Sequence, residues 1–200
     1  MGFFRDYKYS TTKVTAICTD TTGGNFVWVA FSQNASGNCL LLKVSATDLN
    51  QIYYTVQVPV SSINSIVISN GYVFLSVTHS TILSIAYSLT TPLTSFITLN
   101  KPTGITESSI ACAVDNAGDV YFLTPGIAAG QFATVVVTNN LNVIQEILVM
   151  NQEGVFVNNA SSLTVDSLNN IWVVTQNTPS FLVRIWFASG GWMYQQTNLI

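Results

Sequence analysis

Ile110-Ala-Cys-Ala-Val-Asp-Asn-Ala-Gly-Asp-Val-Tyr-Phe-Leu-Thr124 reads as a short apolar strand, a polar turn and a second apolar strand. The turn is built of Asp, Asn and Gly, and the run after it is rich in β-branched and aromatic residues. The pattern returns at Ser162-Leu-Thr-Val-Asp-Ser-Leu-Asn-Asn-Ile-Trp-Val-Val-Thr175. Looser copies lie at 16–30 and 65–76. The turn residues Asp20, Asn70, Asp115 and Asp166 are spaced by 50, 45 and 51, and each precedes a strand with a large aromatic: Trp28, Phe74, Tyr121 with Phe122, and Trp172. A period of that length marks a repeat architecture. Four units of four short strands predict an all-β fold, a β-propeller with four four-stranded blades.

The blades are expected at about 11–60, 61–104, 105–155 and 156–200, with residues 1–10 forming an additional N-terminal strand at an edge or closure. Asn70-Gly71 is a strong two-residue hairpin signal. Asn139-Asn140 and Ser189-Gly190-Gly191 are the expected turns of the third and fourth units. No segment keeps a helical period over 11 residues. One blade cannot bury both of its faces, so blades must stack around an axis. Sixteen strands allow a closed four-bladed ring. The seventeenth strand and the scarcity of charge leave an open or partner-completed array, or part of a larger propeller, as the alternative.

Of 200 residues, 8% are charged and 48% are hydrophobic, with a net charge of −3. That mix excludes disorder, and four Lys and two Arg spread along the chain offer no basic patch for nucleic acid. No apolar run reaches the length of a membrane span. So few charges suggest a surface partly covered by a protein partner or by self-association. A Ser-, Thr- and Asn-rich β protein is expected outside the cell or on a particle surface. Cys18, Cys39 and Cys112 lie in apolar strands and have no C-x-x-C spacing. Buried free thiols are expected, with a Cys18–Cys112 bridge as the alternative.

Asp115-Asn-Ala-Gly-Asp-Val-Tyr-Phe and Asp166-Ser-Leu-Asn-Asn-Ile-Trp-Val resemble the D-x-x-G-N-I/V-W/Y-V signature of NHL-repeat propellers. Gluconolactonase-type and streptogramin-lyase-type propellers carry similar repeats. The resemblance covers all four units and is clearest in the last two. For the enzymes of that group it implies acidic, Asn and His side chains around a divalent metal at the axial mouth. Here the supply is thin: one His, His79, and three Glu, at 107, 146 and 153. Repeat spacing brings no three ligands together, so no catalytic, metal or cofactor residues are assigned and no cofactor is expected. Asp20, Asn70, Asp115 and Asp166 read as turn formers, and His79 as a surface turn residue. Trp186, Trp192 and Tyr194 are the candidate contacts for a partner or a glycan, with packing of the last blade as the plainer reading. The functional expectation is a non-catalytic interaction module or structural subunit. A metal-dependent lactonase- or lyase-type enzyme is the rival.

Overall fold

In the computed structural model, residues 13–20, 25–48, 50–89 and 95–199 are described, and all their regular structure is β. The N-terminal strand expected before residue 11 lies outside them. The first sheet holds β1 (Val14–Asp20), β2 (Phe26–Phe31), β3 (Cys39–Ser45) and β4 (Ile52–Val58). The second holds β5 (Ser62–Ser69), β6 (Tyr72–Thr78), β7 (Ile82–Ser88) and β8 (Ile97–Asn100). The third holds β9 (Ala111–Val114), β10 (Val120–Thr124), β11 (Thr134–Asn139) and β12 (Asn142–Leu148). The fourth holds β13 (Ala160–Val165), β14 (Ile171–Thr175), β15 (Phe181–Ala188) and β16 (Gly191–Asn198). Each sheet is an antiparallel meander with its strands in chain order. This is the β-propeller blade, four times over. Among the described residues no helix is long and apolar enough to cross a membrane.

Hairpin geometry fixes the registers. Asn70 and Gly71 both have positive φ, 47° and 78°, and pair Ser69 with Tyr72. Two left-handed residues in a row make the turn whose twist matches that of the strands. Two other turns sit differently from the expectation. Between β11 and β12 the turn is Asn140-Leu141, with φ of 45° and 69°, one residue later than Asn139-Asn140. Between β15 and β16 it is the two-residue Ser189-Gly190, so Gly191 already pairs with Ala188.

The blades pack face to face. Trp28, Leu41 and Val58 of the first meet Ile66, Leu75 and Tyr87 of the second. Phe74, Leu83 and Ala86 on the second blade's other face meet Cys112, Phe122 and Val136. Tyr121, Leu123, Val135 and Val137 of the third meet Leu163, Ile171, Val173 and Ile185 of the fourth. The central strands β6, β10 and β11 are therefore buried on both faces, which explains their nearly unbroken apolar sequences. The innermost strands contact one another in series, β1 with β5, β5 with β9, and β9 with β13. Among the described residues the fourth and first sheets share no packing of comparable extent.

Candidate functional site

The first hairpin of each blade carries the residues that the repeat singles out. Asp115 Oδ1 accepts the backbone N–H groups of Ala117 and Asp119, both at 2.9 Å, and its Oδ2 accepts the Tyr121 hydroxyl at 2.9 Å. Asp166 does the same in the fourth blade. Its Oδ1 accepts the N–H groups of Leu168 and Asn170, and its Oδ2 accepts Trp172 Nε1 at 2.8 Å. The Asn170 amide and the Trp172 indole, helped by those N–H groups, hold the Asp166 carboxyl well below the usual carboxylate range. In the first blade Asp20 is 2% exposed. It accepts Trp28 Nε1 at 3.3 Å and forms an ion pair with Lys43 at 3.2 Å. Thus in three blades the turn carboxylate binds a ring donor from the following strand. The sequence reading treated turn and ring separately and missed this bond. The Asp-x5-Trp/Tyr spacing of the last two units was the available signal; in the first unit Asp20 and Trp28 are eight residues apart.

The second blade has Asn70 at this place. Its side chain and that of Ser69 donate to the Gly118 carbonyl, at 3.2 and 2.6 Å. Gly118 has φ +89°, and a Cβ there would come within 2.7 Å of the Asn70 amide, so the second blade's tip lodges against this glycine. Asn116 in turn donates to the Ser167 carbonyl at 2.9 Å. The tips of blades two, three and four are joined in a row at this mouth.

At the opposite end of the inner strands several polar groups are paired, while Ser84 Oγ, across the sheet from Ser76, is buried without a partner among the described residues. Asn64 donates to Thr78 Oγ1 and to the Ser109 carbonyl, and Ser76 donates to Ser109 Oγ. His79 Nδ1 accepts the backbone N–H groups of Thr81 and Ile82, both at 3.2 Å, which leaves the ring proton on Nε2. Glu107 accepts three consecutive N–H groups, of Gly126, Ile127 and Ala128, at 2.5, 2.6 and 2.5 Å. Lys101 Nζ donates to the carbonyls of Ser80 and Thr106. Burial lowers the Lys101 pKa from its ordinary value, partly offset by Glu107. Among the described residues, no three His, Cys, Asp or Glu side chains converge to hold a metal ion. A cavity of about 190 Å³ opens at the rim of the third blade, lined by Thr103, Gln131, Phe132, Glu146 and Leu148 among others. It lies away from the inner strands, and ligand clefts usually have about 300–1,000 Å³.

Trp186, Trp192 and Tyr194 are not brought together. Trp186 pairs with Met193, whereas Trp192 pairs with Phe187 and Tyr194 with Ile185, so the first projects from one face of the sheet and the other two from the opposite face. Trp192 and Tyr194 pack against the core shared with the third blade, and the Tyr194 hydroxyl donates to the Leu148 carbonyl at 3.1 Å. Trp186 lies on the outer face of the fourth blade with Trp172 and Arg184. The guanidinium sits 4.8 Å from the Trp186 ring and 5.7 Å from the Trp172 ring, and donates to Asn170 Oδ1 at 3.1 Å. Arg184 Nε is buried and has no hydrogen-bond partner among the described residues. The sequence reading overlooked Arg184, although pairing Trp172 with residue 184 across the sheet would have shown it. Cys18, Cys39 and Cys112 are free thiols, and the Cys18–Cys112 bridge is not formed. Burial pushes the Cys112 thiol up to about 12 and raises those of Cys18 and Cys39.

No family model and no curated protein matches the chain. Solved structures do. A catalytically inactive variant of virginiamycin B lyase from Staphylococcus aureus, solved with quinupristin, matches at a TM-score of 0.64 and 13% identity, over 94% of this chain and 57% of that one. A luciferin-regenerating enzyme matches at 0.60 and 11%, over 84% and 55%. The major Malassezia sympodialis allergen Mala s 1 matches at 0.64 and 9%, over 94% and 64%. The chain thus spans 55–64% of the length of these proteins. At such identities the likeness carries the fold and leaves the chemistry open. The likeness shows that the chain has the β-propeller fold.

Proposed function

We propose that this chain is a non-catalytic propeller module, whose rigid blades serve assembly or protein interaction outside the cell or on a particle surface. One observation carries the reading: its acidic turn residues are used up inside the fold. Asp20, Asp115 and Asp166 each satisfy a ring donor of their own blade, and Glu107 is spent on three loop N–H groups. A lyase- or lactonase-type centre needs several such groups converging with open coordination or acid–base capacity. Trp192 and Tyr194 pack against the core shared with the third blade, which leaves Trp186 alone of the three on the outer face.

The test is a titration of the purified chain with Ca²⁺, Mg²⁺, Mn²⁺ and Zn²⁺ at millimolar concentration, followed by thermal unfolding. Cyclic depsipeptide and lactone substrates are then assayed with each metal. The expected result is an unchanged Tm and no turnover. A metal-dependent rise in Tm together with ring opening of either substrate would overturn the reading.

A further inference from the structure

The cavity at the rim of the third blade has the size and lining of a seat for one side chain. Glu146 and Leu148 pair across the sheet with Val136 and Thr134. Cross-strand partners share a face, and Val136 packs toward the second blade, as does Ile105. The cavity is therefore the outer part of the cleft between these two blades, walled by residues 103–105 on one side and 130–132 on another. Latches fix these walls to each other. Gln131 Oε1 accepts the Thr106 N–H at 3.3 Å, and Glu107 accepts the three N–H groups at the start of the loop that carries Gln131. Thr134 Oγ1 donates to the Phe132 carbonyl at 3.0 Å. The seat is formed before anything enters it, which lowers the cost of binding. At about 30 Å³ per water, a volume of about 190 Å³ takes roughly six heavy atoms, the bulk of one long side chain and too little for a cofactor.

The only charged group in the lining is Glu146, which has no ion pair or hydrogen bond among the described residues. Lys101, on the strand-to-strand connection that forms one wall, is turned away, with Nζ donating to the carbonyls of Ser80 and Thr106. Lys43 is paired with Asp20 in the first blade, and Arg184 lies against Trp172 and Trp186 in the fourth. Beside Glu146 stands the Phe132 ring, and an aromatic face attracts a cation. That ring lies 4.7 Å from the Phe156 ring, and Phe132, Phe156 and Leu148 are 43%, 44% and 40% exposed. The charged seat thus opens onto an apolar patch of the kind that marks protein contacts. We infer that this cleft takes a lysine side chain of a protein partner, with its ammonium on Glu146 and apolar neighbours on Phe132, Phe156 and Leu148. A lysine lays its apolar stem along Leu148 and Phe132 while its ammonium meets the carboxylate. The net charge of −3 also favours a cationic partner. The inference rests on the interaction reading above and names its surface and the chemistry of its partner.

The experiment is a proton–nitrogen correlation NMR titration of the full chain with capped peptides that differ at one position. The probes are acetyl-Leu-Lys-Phe-amide and the same peptide with norleucine or glutamate in place of lysine. The lysine peptide should move the amide signals of Gly104, Gly130, Gln131 and Glu146, with millimolar affinity. Norleucine should bind about two- to five-fold more weakly, the worth of one exposed ion pair, and glutamate more weakly still. Glu146→Gln should bring the lysine peptide down to the norleucine level and leave the norleucine peptide unchanged, whereas Phe132→Ala should weaken both. Circular dichroism confirms the fold of each variant; both substitutions lie at exposed positions. Absence of shifts at those amides with the lysine peptide overturns the inference. So does equal affinity for the lysine and norleucine peptides, or a lysine preference that survives Glu146→Gln. Metal-dependent turnover would sink the non-catalytic reading and leave this preference standing.

Discussion

Replacing Asp20 by Ala should cost about 3–5 kcal/mol of stability, because it strands a buried cation. Asp20 is 2% exposed, and the Lys43 side chain is 11% exposed at 3.2 Å from it. At an effective dielectric constant of about 20, that distance corresponds to a gross attraction of about 5 kcal/mol, most of which offsets desolvation of the two charges. Without the carboxylate, Lys43 keeps, among the described residues, the faces of Phe26 at 4.2 Å and Trp28 at 5.3 Å, worth about 0.5–2 kcal/mol each. The Trp28 indole N–H loses its acceptor as well. For a chain of this size each kcal/mol moves Tm by about 2–4 °C, so a drop of roughly 6–20 °C is expected. Urea unfolding followed by tryptophan fluorescence gives the free energies for Asp20→Ala, Lys43→Met and the double variant. The double variant should lie within about 2 kcal/mol of wild type, since neither charge is left alone. A loss below about 1 kcal/mol for Asp20→Ala, or additive losses in the double variant, would refute the reasoning.

Three further outcomes are expected. The Asp166 carboxyl is held below its unfolded value of about 3.9, so the unfolded chain takes up the proton first. Its contribution is complete above about pH 5 and is lost as pH falls through the folded value. Wild-type Tm should therefore fall more steeply than that of Asp166→Asn between about pH 5 and 2.5, and parallel curves would count against the bond network. Glu107→Ala removes the acceptor of three loop N–H groups. Hydrogen exchange at Gly126, Ile127 and Ala128 should then speed up by about 30-fold, the equivalent of about 2 kcal/mol for charge-assisted bonds, with little change at β14. In the folded protein at pH 8, a thiol reagent should label Cys18 slowly and leave Cys39 and Cys112 untouched until urea unfolds the chain, because those two are buried and Cys112 is raised to about 12. Mass mapping of the labelled peptides would show otherwise.

The sequence carried the blade count and most strand positions, because each hairpin brings its own local chemistry. Asn70-Gly71 announces its turn type, and Ile66-Val67-Ile68 is apolar on both sides because blades cover both. Side-chain direction was harder to read. Taking Ser189-Gly190-Gly191 as the turn leaves the register of β16 open by one residue. A slip of one residue moves a side chain to the other face, and nearness in sequence, on which the grouping of Trp186 with Trp192 and Tyr194 rests, does not tell the faces apart. The Glu107 contact had no local signal at all, since its partners lie 19–21 residues further along and are backbone groups of unremarkable residues. Arg184 was hidden for a related reason: its significance depends on the cross-strand partner, Trp172.

The row of bonded hairpin tips bears on how such a chain can grow or shrink by duplication. Within a blade the turn carboxylate and its ring donor are inherited together, only six residues apart at Asp115–Tyr121 and Asp166–Trp172. Between blades the acceptor is a main-chain carbonyl, of Gly118 or Ser167, and the joint at Gly118 also needs the glycine, because a Cβ there would meet the Asn70 amide. A copied stretch of about 50 residues thus arrives with its own lock and needs from its new neighbour a peptide carbonyl at the right height, beside a glycine where the tip is an Asn like Asn70. Recombination at the tips can change the number of blades with few matched residues at the joint, such as Asn70 with Gly118.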